Sequence, residues 1–113
     1  MPRIDVPVTQ ITRSGVAPAG EIDGDPVNGH SVSNTGGMWI EARNASTTAA
    51  HTLSAHFAST VDGVTVDAKT WSIPAEQSRR IGPFPTRLYG TTLNVDVGSA
   101  ELKLAAYTVA SQT

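Results

Sequence analysis

The stretch from Ser59 to Gly90, STVDGVTVDAKTWSIPAEQSRRIGPFPTRLYG, constrains this chain more than any other. Val64 and Val66 begin an extended run. Trp71 and Ile73 continue it on one face, with Thr70 and Ser72 on the other, which is the period of two of a half-buried strand. Pro74 stops the run, because proline has no N–H to give to a ladder. Pro74-Ala75-Glu76-Gln77 is a short polar connection, and Ser78 to Ile81 is extended again. Gly82-Pro83-Phe84-Pro85 ends the second run, its two prolines holding Phe84 against whatever lies beneath. The spacing predicts two strands folded back on each other as a β-hairpin.

The rest of the chain is consistent with a small β-domain. Its 113 residues suffice for one domain and not for two. Only 5% are aromatic, and much of the 39% apolar fraction is alanine and valine, so the core is expected to be thin. Val, Thr and Ile favour strands, and no long window carries a helical stripe. Ser31–Ser33 is a short strand candidate closed by the turn cluster Asn34-Thr35-Gly36-Gly37. Met38, Ile40 and Ala42 then alternate with Trp39, Glu41 and Arg43; Leu53, Ala55 and Phe57 alternate with Thr52, Ser54 and His56. Asp62-Gly63 is a tight-turn dipeptide. Leu93, Val95 and Val97 form another alternating run, and Gly98-Ser99 turns the chain into Leu102, Leu104 and Ala106. About seven to eight short antiparallel strands at this spacing predict an all-β fold, a small β-sandwich of Ig-like or jelly-roll-like type rather than a barrel. Phe57, Trp71, Ile73, Leu93, Val95, Leu102 and Leu104 are the expected core. The last residues, Val109 to Thr113, have little to anchor them.

Residues 1–29 differ in texture from the sandwich domain expected over 30–113. Pro2, Pro7, Pro18 and Pro26 mix there with Gly15, Gly20, Gly24 and Gly29, and the segment reads as an extended N-terminal arm. Ile4, Val6 and Val8 alternate with Arg3, Asp5 and Pro7, and Ile11 follows; Pro7 restricts this run to a sheet edge.

Charge and chemistry exclude several classes. A net charge of -2 with 16% charged residues argues against a nucleic-acid binder. Arg79, Arg80 and Arg87 are the local basic cluster, read as a solvated face or as partners of neighbours such as Glu76. The chain has no cysteine, which favours a reducing compartment or stabilisation by a partner. MPRIDVPVTQ lacks the apolar centre of a signal peptide, and no run is long and apolar enough for a membrane helix. His51 and His56 would face opposite sides of one strand, and His30 is distant, so no metal is expected. Asp23-Gly24-Asp25-Pro26-Val27-Asn28-Gly29 has the outline of a calcium loop, but its fifth position is valine and its twelfth, Asn34, is no bidentate carboxylate. Asn44-Ala45-Ser46 is a glycosylation sequon without a secretion context. No nucleophile elbow, phosphate loop or carboxylate pair appears, so neither an enzyme nor a cofactor is expected. Trp39 supports two readings: a residue of a second buried face, or an exposed aromatic at an interface, where tryptophan is enriched.

Taken together, several pieces carry a resemblance: Gly15-Val16-Ala17-Pro18, Asn28-Gly29-His30, the strand ending at Arg43-Asn44, Thr60-Val61-Asp62-Gly63 and Ile73-Pro74-Ala75. Ile81-Gly82-Pro83-Phe84-Pro85, Leu88-Tyr89-Gly90 and Ala105-Ala106-Tyr107 extend it over most of the chain. In this order and spacing the sequence resembles the small decoration (minor capsid) proteins of tailed bacteriophages, especially those of actinobacteria. The resemblance implies a β-sandwich that folds in the host cytoplasm, binds the outer surface of the assembled head and reinforces it. Its partners would be the major capsid protein and sister decoration subunits, as a homotrimer at local three-fold axes, with no nucleic acid and no membrane. It transfers no functional residues. Ile4, Val6, Val8 and Ile11, alternating as a strand added to a sheet edge, and Trp39 are the expected contacts with capsid or sister subunit. Two other readings remain open: a carbohydrate- or surface-binding module stacking ligand on Trp39, Tyr89 or Tyr107, and a tail or connector subunit of the same virion.

Overall fold

The structure, a computed structural model, describes residues 3–18 and 20–109; the expectation for the chain beyond Val109 lies outside them. Twelve short strands and one helical turn follow in order: β1 (Ile4–Asp5), β2 (Val8–Ile11), β3 (Ile22–Asp23), β4 (His30–Ser33), β5 (Met38–Asn44), β6 (His51–Ala55), β7 (Thr60–Val61), β8 (Val64–Thr65), β9 (Lys69–Ile73), β10 (Ser78–Ile81), α1 (Thr86–Tyr89), β11 (Thr92–Val97) and β12 (Leu102–Val109). They build a small all-β sandwich. The first sheet has the order β1-β4-β11-β6-β9, and the second β10-β5-β12-β2, with β3 also on β12. β7 and β8 form a separate hairpin whose turn residues Asp62 (φ 52°) and Gly63 (φ 78°) are both left-handed, as a two-residue hairpin turn requires.

From β4 onwards the chain changes sheet at almost every connection; only β6 and β9 are consecutive neighbours in one sheet, with the β7–β8 hairpin between them. The hairpin expected across Pro74–Gln77 therefore does not form. β9 pairs with β6 over five residue pairs and β10 with β5 over four, so the loop carries the chain from one sheet to the other. Glu76, at φ 63°, makes that corner, and its N–H donates to the Ser46 carbonyl (3.0 Å) in the facing connection. A period of two says which side chains turn inward, and Ile73 and Ile81 both do. It does not say which sheet receives each strand.

Of the expected core, Ile73, Leu93, Val95, Leu102 and Leu104 are at most 1% exposed. Phe57 and Trp71 are only partly buried, because they lie toward an open side of the sandwich, and they pack against the core from there. The largest fully buried side chain is Phe84, placed between its two prolines as the sequence implied. Its ring meets Trp71 edge-on (centroids 6.2 Å apart) and Tyr89 edge-on (5.1 Å), and Tyr89 stacks on Phe57 (4.8 Å). Each such pair adds about 0.5–1.5 kcal/mol beyond the area it buries.

The described part of the N-terminal segment runs along its own domain. β1 runs parallel to β4 at one edge of the first sheet, and β2 runs parallel to β12 at an edge of the second. Pro7 stands at the crossing between the sheets, where no ladder N–H is called for. Val6 is only 2% exposed, and its N–H donates to Ser31 (2.9 Å). Arg3 fastens the start, donating to Asp96 Oδ1 (2.8 Å) and to the carbonyls of His30 and Val95 (both 3.3 Å). The segment has too little apolar content to fold alone, and both sheet edges nearby offer unpaired backbone groups. β1 and β2 satisfy those groups on β4 and β12.

Two outcomes follow for stability. Phe84→Ala should lower it by about 3–5 kcal/mol, and Trp71→Ala by less, because part of the indole is already in water; urea unfolding of the two variants compares them directly. Removing residues 1–11 should abolish the cooperative thermal transition, whereas a free arm would leave the melting temperature unchanged.

Candidate binding face

The outer surface of the second sheet carries the most distinctive arrangement of side chains. Met38 and Ile40 are 0% and 1% exposed, so Trp39 between them must turn outward. Antiparallel pairing sets Trp39 opposite Tyr107 on β12, and the two rings lie side by side with centroids 5.7 Å apart and planes 24° apart. Of the two readings of Trp39, this places it on the outer face, half-buried. The end of β10 presses against it. A Cβ at Gly82 would stand 2.8 Å from Trp39 Cβ and 2.9 Å from the Met38 carbonyl, so only glycine admits that approach.

Ile11 from β2 and the loop Gly15–Pro18 join Trp39, Glu41, Arg80 and Tyr107 around an open groove of about 570 Å³. Arg80 Nε lies 3.3 Å from Glu41 Oε2 across the β10–β5 pair. Further along the face, Arg43 grips Glu21 (2.9 Å), whose carboxyl that hydrogen bond holds below the ordinary value against a small opposing effect of burial. Lys103 pairs with Asp23 (2.9 Å). Both pairs are exposed, so neither adds much stability by itself; their effect is to set β3 and the preceding loop in place on β12 and β5.

The structure brings some of the sequence-derived contact residues together and separates others. Ile11 and Trp39 line the same groove. Val6 is in the core and out of any partner's reach, and Val8 packs partly against the core. Ile4 is 42% exposed, on the edge strand of the other sheet. Tyr107 completes the aromatic pair, but Tyr89 is 7% exposed among Phe57 and Phe84, so the three aromatics form no line. Arg80 and Val16 were not singled out as contacts. Cross-strand register places Arg80 here, and the loop after β2 brings Val16; no local pattern reports either.

The remaining motifs are absorbed by structure. Both amide hydrogens of Asn44 are used, by the carbonyls of Ala49 and Ile73 (both 2.9 Å), and the side chain is 1% exposed, so the sequon is closed to modification. Asp25 Oδ1 accepts from the N–H groups of Val27 and Asn28 (both 3.0 Å) and Oδ2 from the Asn28 amide (2.9 Å), which folds the Asp-rich loop on itself. These bonds lower the Asp25 pKa. The histidines disperse: His51 faces Glu101 (3.0 Å), and His56 donates to Asp96. No three potential metal ligands converge among the described residues. Burial pushes the Asp96 carboxyl up, but the hydrogen bonds from His56 and Arg3 outweigh it and leave its pKa low.

His30 is fully buried, and Nε2 accepts the Asp25 N–H (2.9 Å), so the neutral ring carries its proton on Nδ1. Burial lowers its pKa below the ordinary value. A group depressed in the folded state contributes stability that is complete above its unfolded pKa, about 6.5, and is lost as pH falls toward the folded value. The urea midpoint should therefore decline as pH falls below about 6.5, and His30→Gln, although less stable at neutral pH, should show a shallower decline.

No family model matches the chain, and neither the curated proteins nor the solved structures contain a match to it.

Proposed function

We propose that this chain is a structural virion protein of the decoration type, binding the outer surface of an assembled phage head through the Trp39–Tyr107 face. The observation that carries the reading is that face itself: two adjoining aromatic rings, with Ile11, Val16 and Arg80 around them, on an open sheet surface. Tryptophan, tyrosine and arginine are the side chains that dominate protein interfaces. A shallow, wide patch on a rigid sheet suits a protein lattice better than it suits a small molecule, which binds in an enclosed cleft. The resemblance of its ordered sequence pieces to phage decoration proteins points to the partner, the major capsid protein, and to a homotrimer at local three-fold axes. The function is mechanical. It involves no chemical step, cofactor, nucleic acid or membrane, and the protein acts on the outside of the virion after folding in the host cytoplasm. Holding the N-terminal segment in its own sheets fits this role, since a reinforcing subunit must carry load without unravelling.

The near-parallel Trp39 and Tyr107 rings also favour a second reading, a stacking platform for a sugar. Binding to heads that lack the protein separates the two. Trp39→Ala and Tyr107→Ala should each weaken attachment by about 30-fold, the scale of an interface hot spot, with a cooperative thermal transition retained. Full occupancy by both variants, or attachment only to purified host glycans, would remove the head-binding reading. Density for the protein at the tail or connector would assign it to another part of the virion.

A further inference from the structure

We infer that the open side of the sandwich, between β9 and β10, is a docking groove for an extended acidic segment of a partner protein. The N-terminal segment crosses between the sheets at one side; the other is bounded by two edge strands, β9 of the first sheet and β10 of the second. Between them lies a groove of about 420 Å³ lined by Lys69, Trp71, Arg79, Arg80, Phe84 and Tyr89 among others, with no carboxylate in its lining. Lys69 Nζ sits 5.6 Å above the Trp71 ring, and Arg79 donates to the neighbouring Ser78 carbonyl (2.9 Å). Neither cation is in an ion pair among the described residues, and Arg80 shares Glu41 through a long contact of 3.3 Å. In a chain of net charge -2, two unpaired cations in a groove without a carboxylate in its lining select an anionic occupant.

The shape selects an extended one. Asn44 N–H donates to the Gln77 carbonyl (2.9 Å) across the β5–β10 pair, so Gln77, Arg79 and Ile81 turn their backbone toward β5. Ser78 and Arg80 then turn theirs to the free edge, where a partner strand can add. On such a strand every second side chain, about 6.6–6.8 Å apart, faces the same way. Acidic side chains on the face turned across the groove meet Lys69 and Arg79, which share the inward parity of Ile73 and Ile81, while Arg80 turns to the outer face of β10. Single-stranded nucleic acid fits less well: Phe84 and Tyr89 are 1% and 7% exposed, so they offer no ring face for a base. This groove shares only Arg80 with the Trp39 groove, and the inference does not rest on the head-binding reading.

The test uses the full chain and a fluorescein-labelled heptapeptide of alternating glutamate and valine. Saturable binding is expected, weakening as salt rises. Lys69→Gln with Arg79→Gln should reduce affinity by at least about tenfold, and the charge-reversed Lys69→Glu with Arg79→Glu should abolish binding. Both positions are exposed strand residues, so an unchanged melting temperature is expected to accompany the loss. Trp39→Ala should bind the peptide as the native chain does, so failure here and failure of the head-binding reading are separable. Absence of binding, equal binding by the double variants, equal binding of a peptide with lysine in place of glutamate, or tighter binding of a single-stranded oligonucleotide would overturn the inference.

Discussion

Two buried side-chain amides hold this sandwich at its corners. A chain that changes sheet at nearly every connection leaves carbonyls and N–H groups at the rim of the core, where water does not reach them and an unmade hydrogen bond costs about 1–3 kcal/mol. Asn44, at the end of β5 in the second sheet, donates to Ile73 in the first sheet and to Ala49, and accepts from the Ser46 N–H (2.9 Å). Asn34, just past β4, does the same work for other connections, donating to Phe84 and Gly90 and accepting from Gly36 (3.0 Å). Each amide thus ties together backbone from separate parts of the chain. The Asn34 bond to the Phe84 carbonyl also fixes the aromatic cluster that fills the end of the core.

With its corners fixed, the sandwich has two unlike sides. One is crossed by residues of the same chain: β1 and β2 finish the two sheets, and Arg3 pins the crossing to Asp96. The other is left to β9 and β10, with Trp71 partly exposed between them. An edge strand is a liability unless it is short, charged or covered. Here β10 carries two arginines and β9 a lysine, which discourages pairing with another copy of the same edge by charge repulsion. The same charges make the edge receptive to an acidic strand.

The two outer faces are also unlike. The first sheet presents Ser31, Ser33, Thr52, Ser54, Thr70 and Ser72 together with Asn94 and the Asp96 carboxylate held by Arg3 and His56, a polar surface that water solvates well. The second presents Trp39 beside Tyr107, with paired charges around them. Aromatic area on a rigid sheet gains more from being covered than such a polar surface does. On the head-binding reading proposed above, it is the second sheet that a large partner would cover.

The fold class was legible in sequence because β-structure writes itself locally. Alternation in Met38–Arg43 and Leu93–Val97 identifies strands and their inward faces, Asp62-Gly63 its turn, and the two prolines beside Phe84 a pinned aromatic. Trp39 was legible as a contact candidate for the same reason, since the residue between Met38 and Ile40 belongs to the opposite face. What tertiary structure alone decided was which strand pairs with which. Residues 71–81 carry the same alternation whether they fold as a hairpin or cross between sheets, and the choice depends on β5 and β6 offering ladders from elsewhere in the chain. Val6 shows the same limit: an alternating apolar edge strand can add to a partner's sheet or to its own, and here the flanking strands pair with β4 and β12 of the same chain. The nearness of Trp39 to Tyr107, and of Lys69 to Arg79, joins residues far apart in sequence through pairings that no local pattern encodes.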